Sequence, residues 1–390
     1  MHYERLTKNR IYIFSAHDEM QRSTDASFRF QQDPYFFWLT EFNEPGWRLV
    51  VNTYDNEQVL LAPKRDAVKT LFDGSVDNET VKKRTGVHKI LEYKEQADFL
   101  RSLARQHATA YMIGSHPDRH YFHHHENPAA QRARSTMERY FKRIIDCRKE
   151  LDTLRACKTK HEVESMRAAV SATIDGFQNV KKAIAAGAQF EYELEAELSY
   201  AFRRTGAGGH AYDPIVAGAG NACTLHYSEN NAELPNNGLV LIDAGAVVNG
   251  YAADITRTYA VGTPTEREQA IHTAVEKAHH AIIALIQPGA LLKDYIAKVE
   301  EVMIEALKSV GLYEKPDDYR KYFPHAISHG LGIDVHESLG GFKEFQPGMV
   351  LTVEPGIYIP EEGIGVRIED DILVTETGNE NLSAALSTSL

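Results

Sequence analysis

"NGLVLIDAGAVVNGYAADITRTYAV", residues 237–261, sets one acid inside an apolar strand and a second acid eleven positions further on. Val240, Leu241 and Ile242 run directly into Asp243, and Ala252 and Ala253 run into Asp254. Between the acids, Asn249-Gly250 signals a two-residue type I′ hairpin, because both central residues of that turn need positive φ. With those two as the turn, Tyr251 faces Val248, Asp254 faces Gly245 and Thr256 faces Asp243. Strand side chains alternate with period two, so Asp243 and Asp254 project from one face as diagonal neighbours.

A later stretch rhymes with this one. "PGMVLTVEPGIYIPEEGIGVRIEDDILVT", residues 347–375, also opens on a glycine turn and an apolar strand, meets an acid, turns back and meets a second acid. A four-residue loop, 360–363, places Glu354 directly opposite Glu369. The two stretches read as an internal structural repeat. Ionised carboxylates within apolar strands are costly unless compensated. A surface salt-bridge ladder fits poorly with Val240, Leu241, Ile242, Leu351 and Val353. Four converging carboxylates therefore point to divalent cations, two of them, to offset the mutual repulsion. Carboxylate-rich ligation with a single imidazole suits manganese, and tolerates zinc, iron(II) or cobalt. "HAISHGLGIDVHE", residues 325–337, can supply the imidazole. Taken alone, its three histidines and two acids are equally compatible with a glycine-bent loop.

The rest of the chain sets the frame. At 390 residues it has room for two domains, and 43% hydrophobic with 25% charged residues suits a globular protein with a sizeable core. A formal net charge of −12 argues against general nucleic-acid or anionic-membrane binding. Three cysteines, Cys147, Cys157 and Cys223, fit neither a disulfide framework nor a zinc motif and read as reduced thiols. The first residues hold no apolar run long enough for a signal peptide, and no run reaches the roughly 18 residues of a membrane span, so a cytoplasmic location is expected. The first third reads as mixed α/β, with strands at "WRLVVNTY" and "QVLLAP". "RHYFHHHENP" carries three adjacent histidines, but neighbouring positions point different ways, so an exposed loop is expected rather than a metal site. From about residue 131 long helices are expected, one through Cys147 and a second from Lys160, with Thr159 as N-cap, Glu162 at the capping-box position and Gly187 as the stop. The domain boundary is expected between Cys147 and Arg155, giving domains 1–150 and 155–390, the second α+β with antiparallel sheet.

These residues resemble the pita-bread metallopeptidases, which include methionine aminopeptidase, prolidase and aminopeptidase P. Asp243, Asp254, His329, Glu354 and Glu369 match that family's five metal ligands in order, within "DAGA", "ADITRT", "SHGLGIDVHE", "VEPGIY" and "VRIEDD". "TLHYSENN", Ser328, "TETGNENL" and the N-terminal "RSTDASFRFQQDPYFFWLTEFNEPGWRLVV" are similar to the aminopeptidase P branch. Glu41 and Ala326 depart from it, each standing where glycine is usual. The resemblance implies a pseudo-twofold pita-bread catalytic domain behind a smaller mixed α/β N-terminal domain. It implies a hydrolase that releases the N-terminal residue from peptides with proline second, through water bridging two divalent ions, usually manganese.

By the same resemblance Asp243 is bidentate on one ion, Asp254 and Glu369 bridge, and His329 and Glu354 complete the other ion. Glu354 is also the proton acceptor. His226 and His336 resemble residues that bind substrate and stabilise the intermediate, and His325 a third pocket histidine. Arg367, two residues before Glu369 on the same strand face, is expected to hold a carboxylate in place. His161, His272, His279 and His280 are expected to be structural, and His210 and Tyr212 are not assigned. The expected partners are proline-containing peptides, with no nucleic acid and no membrane, in a homodimer or homotetramer. A prolidase-type dipeptidase is the alternative, and a non-catalytic binding protein of the same fold a further one.

Overall fold

In the computed structural model, which describes residues 2–64, 66–114 and 125–390, Asn249 and Gly250 take φ of 51° and 82° and turn the first hairpin. Val248 pairs with Tyr251 beside the turn, and Thr256 pairs with Asp243 in the long ladder between the Gly238–Ala244 and Ile255–Val261 strands. The register expected from the turn thus runs through the whole hairpin. The second hairpin obeys the same rule. Ile359 pairs with Ile364 across the four-residue loop, Gly356 with Arg367, and beyond them Val353 with Asp370. The ladder breaks at Asp254 in the first hairpin and at Glu354 and Glu369 in the second, so these three acids lie in gaps between short pairings, while Asp243 stays within its ladder. A single bridge joins the hairpins, Thr256 to Glu369.

Each hairpin is backed by two helices. Lys160–Ala185 and Glu191–Arg204 cover the first, and Glu266–Ala284 and Leu292–Ser309 cover the second. The Lys160 helix starts at a reciprocal capping box, in which Thr159 accepts the Glu162 N–H and the Glu162 carboxylate accepts the Thr159 N–H. Two apolar cores result. One holds Phe177, Leu194, Leu198, Phe202, Val240 and Ile242; the other holds Ile271, Val299, Met303, Phe345, Leu351 and Ile372. This is the pseudo-twofold α+β pita-bread arrangement. Arg257 fastens its two halves. Its buried guanidinium donates to the carbonyls of Thr256, Glu369, Leu386 and Ser387 and to Asp370 Oδ1.

By contact density the chain divides into two units, Met1–Leu154 and Arg155–Leu390. The first contains a mixed six-stranded sheet ordered Lys89–Leu91, Glu57–Leu61, Arg48–Asn52, Ile11–Ser15, Thr109–Met112 and Arg143–Asp146. The last strand corrects an expectation. The helix expected through Cys147 ends at Met137, and Arg143–Asp146 pairs in parallel with Thr109–Met112. Burial of Phe141 and the β-branched Ile144-Ile145 pair favour sheet over the local helical period. Glu41 closes the Pro34–Thr40 helix with φ 50°, a left-handed conformation that explains why glycine suits this position. Of the adjacent histidines, His123 and His124 lie outside the described residues, and His125 is exposed. No helix among the described residues is long and apolar enough to cross a membrane.

Candidate metal centre

The gaps in the two ladders bring the hairpin acids to one point. Arg367 reaches across from the second hairpin to the first, and its Nη2 donates to Asp243 Oδ2 at 2.6 Å. Its Nη1 donates to the Tyr358 hydroxyl at 2.9 Å, its Nε donates to Thr256 Oγ1 at 3.1 Å, and Nε lies 4.0 Å from Glu369 Oε2. The Thr256 hydroxyl in turn donates a hydrogen bond to Glu369 Oε2 at 2.6 Å. Tyr212 completes the first side, with its hydroxyl 2.5 Å from both Asp243 Oδ1 and Asp254 Oδ1.

His329 faces this cluster from residues 325–337. Its Nδ1 lies 3.0 Å from the Gly330 carbonyl. A carbonyl only accepts, so Nδ1 carries the proton and Nε2 keeps its lone pair. That Nε2 is 3.5 Å from Asp254 Oδ2 and 3.5 Å from Glu354 Oε1. Burial, reinforced by His336, holds His329 down to about 4, so the ring is neutral. A lone pair aimed at two carboxylates is a repulsive arrangement unless a cation lies among them. Ligand atoms of Asp254, His329 and Glu369 all fall within 4.8 Å of one another.

The acids carry the same signature. Burial and the Asp243 and Asp371 charges push Asp254 far above the usual carboxylate range. Burial with Asp254, Glu354 and Asp243 does the same to Glu369. Burial raises Glu354 to about 8 against the opposing pull of Arg367. One guanidinium among three buried carboxylates and the half-buried Glu354 leaves the charge uncompensated, and oxygen donors with one imidazole are a donor set for hard or borderline divalent ions. The residues fit such ions.

The other histidines separate clearly. His336 packs its ring against His329, with centroids 4.0 Å apart. His325 Nδ1 donates to the Ala326 carbonyl at 2.7 Å and lies 3.4 Å from Glu354 Oε2, while its Nε2 accepts the Tyr358 hydroxyl at 2.9 Å. Burial and Arg367 hold that ring down to about 3. His226 is exposed on the loop after Ala219–Cys223 and acts electrostatically on both His325 and His336. His210 bonds Ser199 instead, with Phe202 beside its ring, and His272 and His279 are buried in a helix. Two residues of the cluster went unassigned from sequence, Tyr212 and Tyr358. Alternation carried a signal for the second, since Glu354 and Tyr358 share a strand face.

Residues 164–376 match the metallopeptidase family M24 profile, and residues 2–112 match the aminopeptidase P N-terminal domain. The chain is similar to the Xaa-Pro aminopeptidase of Escherichia coli strain K12, at 34% identity over 96% of this chain and 90% of the relative. It is also similar to Xaa-Pro aminopeptidase 3 of Homo sapiens, at 30% identity over 93% of this chain and 76% of the relative. Among solved structures, aminopeptidase P from E. coli in its low-pH form superposes with a TM-score of 0.85 at 31% identity, covering 99% of this chain and 93% of the other. Proline aminopeptidase P II from Yersinia pestis gives 0.84 at 32%, covering 99% and 94%.

Proposed function

This chain belongs to metallopeptidase family M24, and on that premise we propose that it releases the N-terminal residue from peptides with proline in second position. The observation that carries the metal chemistry is the neutral His329 ring directing its Nε2 lone pair at Asp254 and Glu354. Asp243, Asp254, His329, Glu354 and Glu369 would hold two divalent ions, with manganese the preferred metal. When bound, such ions polarise the scissile carbonyl and acidify water.

The chain's own side chains do the rest. Arg367 and Tyr212 hold Asp243 from opposite sides, fixing both its oxygens. Glu354, with Thr352 Oγ1 3.1 Å from its Oε1, takes the proton of the attacking water and returns it to the departing proline nitrogen. His226 and His336 donate to the substrate backbone and to the oxygen on which charge develops. His325, locked by Tyr358, lines the pocket. Proline has no N–H and a fixed φ, so a pocket shaped to it rejects most other second residues. A cytoplasmic location suits the three free cysteines, and a homodimer or homotetramer is the assembly proposed.

The test compares kcat/KM for Ala-Pro-Ala, Ala-Ala-Ala and Gly-Pro with manganese present. Ala-Pro-Ala should yield free alanine, and Ala-Ala-Ala should be poor. Efficient cleavage of Gly-Pro with none of Ala-Pro-Ala would make the chain a prolidase-type dipeptidase instead.

A further inference from the structure

Two acids of residues 325–337 have no part in the chemistry above. Asp334 and Glu337 are committed to buried cations instead. Each Glu337 oxygen accepts from a different one, Oε1 from Arg155 Nη2 and Oε2 from Lys158 Nζ, both at 2.5 Å. Arg155 Nη2 also donates to Asp334 Oδ2 at 2.9 Å. The Arg155 and Lys158 side chains are each 2% exposed and that of Glu337 5%, whereas Asp334 reaches solvent at 42%. With both oxygens engaged in different directions, the carboxylate plane cannot turn.

The backbone closes around that carboxylate. The Glu337 N–H donates to the Gly330 carbonyl at 2.8 Å, and the Gly332 N–H to the Asp334 carbonyl at 3.0 Å. Glu337 lies so close over Gly332 that a β-carbon there would overlap its carboxylate. Lys158 is itself anchored, its N–H donating to the Gly348 carbonyl at 2.8 Å, and Leu331 donates to the Val350 carbonyl at 3.0 Å on the strand leading to Glu354. Residues 330–337 thus form a ring sewn round one carboxylate. His329 precedes the ring and His336 lies at its end, and the two imidazoles pack against each other at 4.0 Å between centroids with their planes tilted by 36°.

We propose that Glu337, gripped by Arg155 and Lys158, is a positioning residue. It sets where His336 stands relative to His329, and so how substrate is held against the metal ligands. The proposal rests on the peptidase function above. Stability alone does not call for such a cluster, because buried ion pairs replaced by apolar residues of similar volume are often as stable. Nor does it add net charge near the centre, since two acids and two bases balance. What charged hydrogen bonds supply, and apolar contacts do not, is direction.

Glu337→Gln would leave two buried cations short of an anion and endanger the fold. The decisive variant therefore replaces the whole set, Arg155→Met/Lys158→Met/Glu337→Leu, beside the single variants Lys158→Met and Lys158→Arg. Four readouts are taken: melting temperature, manganese titration by calorimetry, kcat and KM for Ala-Pro-Ala, and the His329–His336 ring separation in crystals. The triple variant should melt near the wild type and bind manganese, yet lose about 10–100-fold in kcat with KM little changed and a displaced His336 ring. Lys158→Met should show a milder form of the same loss, and Lys158→Arg should restore it. Wild-type turnover and ring separation in the triple variant would reduce the cluster to scaffolding. Should that variant not fold, the same outcome in Lys158→Met would overturn the proposal. If the wild type itself leaves Ala-Pro-Ala intact, the peptidase assignment fails, and the ring separation still decides the clamp.

Discussion

His279 makes the fold acid-sensitive in a way that one substitution isolates. It is fully buried on the Glu266–Ala284 helix, with Nε2 3.4 Å from Asp370 Oδ2 but misaligned, so neither ring nitrogen makes a hydrogen bond. Asp370 gives its oxygens to Arg257 and Asn381 instead. Burial lowers His279 to about 4, and the Arg257 and His280 charges add to that, while Asp370 and Glu276 oppose it. In the unfolded chain the ring titrates near 6.5. Between those values the unfolded chain binds more protons than the folded one, so the stability present above pH 6.5 is lost as pH falls toward 4. By pH 4.5 the difference reaches roughly 2.5 kcal/mol. For a unit of this size that is a fall of about 5–10 °C in melting temperature. His279→Leu removes the titrating ring at little cost in packing, and every other acid-labile group is shared with the wild type. Melting curves at pH 7.5 and 4.5 should therefore show the variant losing less than the wild type by that amount. Equal losses in the two proteins would refute the argument.

Glu369→Gln keeps size and shape but removes one charge from the acid cluster; metal occupancy and turnover should both collapse, and elemental analysis showing two full metal equivalents with normal activity would remove Glu369 from the ligand set. His226→Ala and His336→Ala should each lower kcat/KM by about 10²-fold or more, roughly 2.7 kcal/mol, with metal content near normal. Metal lost in proportion to activity would mark those histidines as ligands or supports.

The hairpins were legible because their causes are local. Asn249-Gly250 sets one register and the loop at 360–363 the other, and period-two alternation then carries each acid to its place. What escaped is long-range. Tyr212 meets Asp243 and Asp254 across 31 and 42 positions of sequence, and Glu337 meets Arg155 across 182, distances over which no periodicity speaks. Arg143–Asp146 escaped for a related reason, since its strand exists only because Thr109–Met112 offers an edge to pair with. The departure at Ala326 has a bland outcome, as its carbonyl merely orients His325.

Arg257 has a consequence for motion. Its guanidinium is shared among the carbonyls of both hairpins and the tail near Leu386, so neither half can breathe open without stranding a buried cation. Openings that would part Asp254 from Glu369 are opposed by that cost, and the strands Ile255–Val261 and Asp370–Val374 should exchange their amide protons as one unit. A binding site pays for every moment that its parts spend separated, because apparent affinity scales with the competent fraction. A clamp of this kind keeps that fraction high, so a metal ion held by these carboxylates would meet an affinity close to their intrinsic one.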